Sequence, residues 1–208
     1  QPEDCEEILQ KSVIATVLAA LEAALSGFDQ RTVLRYLRSA LSPIGPDLCD
    51  YVENYCIIWG IRGQKWLRDW ENHPEGLSGT WTEENRNHLS QLNEARTAAI
   101  VPLEHLYQGF RNARNVRDQV LSLYRFLEEI HLESRLAQLA EEMDAAGDNR
   151  SAQILNQLWE IVLSALEQLY DVLGETHWDQ EHFAKLFRLL LSQYDVGTIP
   201  PVLDAVQM

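Results

Sequence analysis

The sequence predicts an all-α fold, an irregular multi-helix bundle with two long antiparallel helices and one long loop at about 60–81. Three observations carry this. Apolar residues recur at three- and four-residue spacing in segment after segment, and no stretch alternates with period two. Capping residues and helix breakers fall between those segments, where helices need to start and stop. Finally, the chain has 208 residues, 46% of them apolar, and six tryptophans. That suits one good core, or a core with a satellite bundle, and not a disordered chain. No internal repeat of about 20–50 residues is visible.

The whole of 1–208 reads as a single helical domain. N-terminal helices fill 1–59, a Trp/Gly-rich loop 60–81, a long helical bundle 82–195 and an exit segment 196–208. A first helix over 5–25 places Ile8, Leu21 and Leu25 at helical spacing. Gly27 is suited to end it, and Asp29 to cap the next helix at about 30–40. There Leu34, Leu37 and Leu41 form a core-facing row, with Arg31, Arg35 and Arg38 opposite. Ser42-Pro-Ile-Gly-Pro46 is a break, and Pro46 suits the first turn of a helix over 46–59. Gly60 ends that helix and Gly63 turns the chain again. Trp66, Trp70 and Trp81 are expected to pin the following loop to the bundle, because tryptophan supplies large buried area. Thr82 with Glu83 and Glu84 signals a helix start, and that helix runs from about 83 to 110. Pro102 is expected to kink or split it near Val101. Two long helices then follow. The first carries Val116, Val120, Leu123, Leu127, Ile130 and Met143 on one stripe and breaks at Gly147-Asp148. The second carries Ile154, Leu158, Ile161, Ala165 and Leu169 and ends at Gly174. Joined by a short turn, they should lie antiparallel. A last helix spans about 179–193.

The formal charge is −15, so bulk electrostatics cannot draw this chain to nucleic acid, and any DNA contact must be local. Residues 31–125 hold most of the basic groups and are close to neutral, whereas 126–208 hold the acidic excess. Three cysteines without Cys-x-x-Cys spacing fit a reduced, cytoplasmic protein. No run of about 18 apolar residues exists, so no membrane span is expected. The chain opens Gln1-Pro2 and closes Val206-Gln207-Met208, which leads us to expect a domain excised from a larger chain.

Few residues are arranged for chemistry. Glu128-x-x-His131 and Asp179-x-x-His182 each set a carboxylate and an imidazole one helical turn apart, but the core-facing glutamates of a di-iron bundle are missing. Both pairs read as surface residues. The sequence contains no phosphate loop, no Gly-x-Ser-x-Gly and no zinc spacing. Positive charge remains. Arg62 and Lys65, with Trp66 beside them, sit on a glycine-flanked turn that could meet phosphate or close salt bridges to Asp69 or Glu71. Arg111, Arg114 and Arg117 are spaced to form a second stripe on one helix. These six residues are the candidate contacts for DNA or a partner. No catalytic and no metal-binding residue is assigned.

Several runs carry a resemblance. Arg35-Tyr-Leu-Arg-Ser-Ala-Leu41, Val52-Glu-Asn-Tyr55 and Trp59-Gly-Ile-Arg-Gly-Gln-Lys-Trp66 resemble a segment of the B subunit of bacterial AddAB-type ATP-dependent helicase–nucleases. Leu92-Asn-Glu-Ala-Arg96 with Pro102, and Ile199-Pro-Pro-Val-Leu-Asp204, match it in the same order. One departure is Leu67-Arg-Asp-Trp-Glu-Asn-His-Pro74, where the family tends to an acidic run. The resemblance implies a helicase-like subunit with degraded helicase activity and a C-terminal nuclease domain holding an iron–sulfur cluster. It also implies a role in resecting double-strand breaks for recombination. This segment would be the helical insertion of the second helicase-like domain. Its partners would be the A subunit and, in the assembled complex, DNA. ATP, magnesium and the cluster would all bind outside it, so Cys5, Cys49 and Cys56 are not cluster ligands. The rival reading is a free-standing helical interaction protein whose grooves bind another helix.

Overall fold

The structure, a computed structural model, describes residues 2–193, with side chains from residue 12 onward. Every regular element there is helical: α1 Pro2–Leu25, α2 Gln30–Leu37, α3 Pro46–Trp59, α4 Glu83–Asn112, α5 Val116–Glu129, α6 Leu132–Ala145, α7 Asn149–Leu173 and α8 Gln180–Gln193, with a short 3-10 helix at Gly63–Leu67. The exit segment expected at 196–208 lies outside the described residues.

Helix ends follow the chemistry of their residues. Gly27 (φ 71°) and Phe28 (φ 65°) end α1 in left-handed conformations. The Phe28 and Gly27 N–H groups donate back to the Ala23 and Ala24 carbonyls, a Schellman closure. Asp29 then caps α2, its carboxylate accepting from the Arg31 and Thr32 N–H groups. Pro46 opens α3 and left-handed Gly60 closes it. Thr82 and Asn85 form a reciprocal capping box at the start of α4.

α1 lies at the centre, packed against α2, α4, α7 and α8, while α3 leans on α4 and α2. Val17, Ala20, Ala23 and Ala24 of α1 are fully buried, and their small size lets the neighbouring helices approach. Phe183 and Phe187 of α8 enter the same core, where Phe183 meets Phe110 edge to face.

Two expectations change. The helix expected to run unbroken from Val116 to Met143 is two helices, α5 and α6, divided at Ile130-His131. His131 stands at φ 55°, a conformation that histidine tolerates better than most residues. The break carries no glycine or proline. It re-aims the chain so that Leu132 and Leu136 are buried and Arg135 donates to the Leu41 and Ser42 carbonyls at 2.7 and 3.1 Å. The antiparallel partner of α7 is therefore the 14-residue α6, which packs along it more extensively than any other helix pair. Secondly, α4 is a single 30-residue helix through Pro102. The proline removes one donor, but buried Ala99, Ile100, Leu103 and Leu106 hold the helix to the bundle on both sides.

Candidate nucleic-acid or partner interface

The turn after α3 is built by its own backbone and by two neighbours. The Gly60 conformation lets the Ile61 N–H donate to the Cys56 carbonyl at 3.0 Å. Gly63, at φ 54°, turns its N–H onto the Phe28 carbonyl at 2.9 Å. Gln30 Nε2 donates to the Cys56 carbonyl at 2.8 Å. Between the two glycines Arg62 is extended and exposed. Lys65 is committed: its Nζ donates to the Trp59 and Gly60 carbonyls at 3.0 and 3.1 Å. This places a cation on the negative end of α3.

The loop beyond is held from three sides. Trp66 is fully buried and tilted against Trp70, whose ring stacks on Tyr55 at 4.6 Å. The Tyr55 hydroxyl donates to the Asn72 carbonyl and accepts from its N–H, and burial pushes this phenol up to about 12. Trp59 Nε1 donates to the His73 carbonyl. From α4, Asn93 accepts the Trp70 N–H and returns a bond to the Trp70 carbonyl, at 2.8 and 2.9 Å. Arg96, only 7% exposed, donates to the Trp66 carbonyl at 3.0 Å and to Asp69 Oδ1 at 2.5 Å. Burial lowers the pKa of its guanidinium, against the pull of Asp69.

Trp66 therefore packs in the core and has no surface to offer a ligand, in line with the pinning expected from sequence. Trp81 is only partly covered, edge-on to the His73 ring.

The three-arginine stripe does not form on one helix. α4 ends at Asn112, and Asn115 caps α5, so Arg111 belongs to α4, Arg114 to the connection and Arg117 to α5. Physically, the Asn115 carboxamide competes for the Asp118 N–H and starts a new helix there. Arg117 pairs with Glu175 and lies over the Tyr170 ring at 5.1 Å, fastening α5 to the end of α7. The Arg114 N–H is held by Asp118, while Arg111 and Arg114 are exposed. Both candidate clusters nevertheless flank Phe28. Its carbonyl takes the Gly63 N–H, and its ring meets Tyr107, one turn before Arg111, at 5.7 Å.

Other candidates resolve as structural groups. His131 is the left-handed residue at the α5–α6 break, so Glu128 and His131 do not share a helix. Asp179 accepts the His182 N–H and pairs with its ring, a helix-start contact on the surface. Its carboxyl is held below the usual range by those His182 hydrogen bonds. Cys49 and Cys56 are buried on the core face of α3, and burial raises both thiols. Such a pair does not fit a cluster-binding set. Among the described residues no group of three or more His, Cys, Asp or Glu is placed to hold a metal ion. None of the described helices is long and apolar enough to cross a membrane.

Arg96 and Arg135 were missed as organising residues. Arg96 carried a signal, since Leu92, Arg96, Ala99 and Leu103 fall on one buried stripe. For Arg135 the signal is absent, because its carbonyl partners lie in a distant loop.

No family profile matches the chain. Individual proteins do. It is 31% identical over 201 residues to the ATP-dependent helicase/deoxyribonuclease B subunit of Caldanaerobacter subterraneus subsp. tengcongensis, covering 96% of this chain and 17% of that protein. It is 30% identical over 204 residues to the protein of the same name from Clostridium botulinum strain Hall, covering 97% of this chain and 18% of that protein. The same-named protein of Clostridium kluyveri is 30% identical over 208 residues. The chain thus spans less than a fifth of the length of these curated relatives, whose names make them one subunit of a complex. By this similarity the chain belongs with the ATP-dependent helicase/deoxyribonuclease B subunits, of which it matches one segment.

Proposed function

We propose that this chain is a non-catalytic helical accessory domain from the B subunit of an ATP-dependent helicase/deoxyribonuclease that acts in double-strand break repair by recombination. The supporting observation is the similarity over 96–97% of the chain to proteins of that name. The geometry fits a scaffold role. The runs that carry the resemblance, from Tyr55 through Trp66 to Asn93 and Arg96, converge on one clamped loop. Their polar groups are spent on backbone carbonyls and N–H groups. In this reading the domain shapes a DNA channel and contacts the A subunit. DNA would meet it at Arg62 and at Arg111 and Arg114, where exposed cations flank Phe28. ATP, magnesium and the iron–sulfur cluster of the family are assigned to other parts of the parent protein.

The test is activity of the purified chain. Incubated with linear DNA, ATP and magnesium, it is expected to leave both substrates intact. Metal-dependent cleavage that is lost on His131→Ala or His182→Ala would overturn the reading.

A further inference from the structure

A second surface lies on the other side of α3 from the core, where the loop tip and the first turns of α4 meet it. Tyr51, Glu75, Glu83, Glu84 and His88 line a cleft of about 920 Å³ there. None of the three carboxylates has an ion pair among the described residues. The helix dipole favours acids at Glu83 and Glu84, so their presence alone marks nothing. His88 supplies the second observation. Its ring meets the edge of Tyr51 at 4.8 Å, and its Nε2 is shielded from solvent with no hydrogen-bond partner. Buried polar atoms in native proteins are usually satisfied, so an orphan facing a cleft points to a donor arriving from outside.

Beside the cleft the surface is apolar. Leu77 is 93% exposed and Ile58 40%. They are neighbours, because a Cβ on Gly76 would sit 3.8 Å from Ile58 Cγ2. The platform is preformed: His73 holds the tip closed, its Nδ1 accepting the Glu75 N–H at 3.1 Å while its Nε2 meets the Thr80 carbonyl at 3.3 Å.

We propose that this cleft and its rim dock a basic, amphipathic segment of a partner polypeptide. An apolar side chain of that segment covers Ile58 and Leu77. A lysine or arginine beside it reaches the three carboxylates and donates to His88 Nε2, in the tautomer that carries its proton on Nδ1. The charge excludes a phosphate backbone, which the unpaired acids repel. It also disfavours a second copy, since a two-fold contact would set the same acids against each other.

The test uses a fluorescein-labelled peptide of leucine and lysine at helical spacing, titrated into the purified protein and followed by anisotropy. Binding is expected, and Glu75→Gln, Glu83→Gln and Glu84→Gln together should weaken it about tenfold. Leu77→Ser should weaken it severalfold, and so should serine for leucine in the peptide. Glu133→Gln, Glu141→Gln and Glu142→Gln together, an equal charge change on α6, should leave it within about twofold. Circular dichroism checks that every variant is folded. Equal loss from both triple variants would reduce the effect to bulk charge and overturn the proposal. So would an absence of binding, or equal binding of a peptide with glutamate for lysine. A concentration-dependent dimer that Leu77→Ser abolishes would assign the rim to a second copy instead.

Discussion

Replacing Arg96 should loosen the loop that the shared motifs build, and the cost can be worked from its contacts. The bond to the Trp66 carbonyl lies in the core, and its loss strands a buried acceptor, at about 1.5–3 kcal/mol for a charged donor. The bond to Asp69 is close, but that carboxylate is 81% exposed, so water replaces the arginine and the loss is below about 1 kcal/mol. Asn93 Oδ1 keeps the Trp70 N–H when Arg96 leaves, and so is not orphaned. Removing the guanidinium also relieves its burial cost, the same cost that lowers its pKa. Arg96→Met keeps the stem volume and isolates these polar terms, for a net loss of about 2 kcal/mol. Arg96→Ala adds the lost packing and reaches about 3 kcal/mol. At roughly 2–4 °C per kcal/mol for a chain of this size, the alanine variant should melt about 6–12 °C lower. Urea unfolding read by far-UV circular dichroism and by tryptophan fluorescence gives both the size and the location of the effect. If the loop opens first, the fluorescence transition precedes the loss of helix. Arg96→Lys should recover little, because an ammonium cannot span both acceptors as the planar fork does. An Arg96→Met variant within about 0.5 kcal/mol of the parent would refute the clamp.

Gly109 is the closest approach of α4 to α5. A Cβ there would lie 2.5 Å from Ser122 Oγ and 2.7 Å from its Cβ. Gly109→Ala should therefore destabilise by about 1–2 kcal/mol despite its better helix propensity, and Ser122→Gly should rescue it; a raised urea midpoint for the single variant would contradict this. For the DNA reading, the assembled complex is titrated with forked DNA at several salt concentrations. Arg62→Ala should lower the log–log slope by about 0.7–0.9, and Arg111→Ala with Arg114→Ala by about twice that. Arg117→Ala should leave the slope unchanged, because its charge is already spent on Glu175. Unchanged slopes for both of the first two variants would remove DNA from this end of the bundle.

Much of the fold was legible because its punctuation is local. Asp29, Pro46, Gly60, Thr82 and Asp148 sit at helix ends in the structure, where cap chemistry puts them. The break at His131 was not legible, since it has no glycine or proline and exists because tertiary burial of Leu132 outweighs helix continuity. Pro102 misled in the opposite direction for the same reason. At the candidate site, spacing alone set Arg111, Arg114 and Arg117 on one face. That inference depended on a continuous helix, which the Asn115 cap denies. The commitments of Lys65 to helix-end carbonyls and of Arg117 to α7 are matters of geometry that composition cannot encode.

The clamped loop gives a reason for two left-handed glycines to bracket one arginine. Between Gly60 and Gly63 the backbone cannot relax toward either neighbour: one glycine closes α3, and the other is tied to Phe28. Lys65, Trp66, Asn93 and Arg96 then hold the far side. Arg62 is left as the exposed side chain on a backbone whose conformational entropy has already been lost in folding. A contact made by such a residue needs to order only its own rotamers, at roughly 0.5–1.5 kcal/mol, and not a mobile loop as well. Phosphate and carboxylate are both ligands that arginine recognises through fixed geometry. On this argument the tryptophans and the asparagine–arginine pair of α4 serve the interface indirectly. They make the surface at Arg62 rigid, and loss of Arg96 should weaken any contact at Arg62 without touching it.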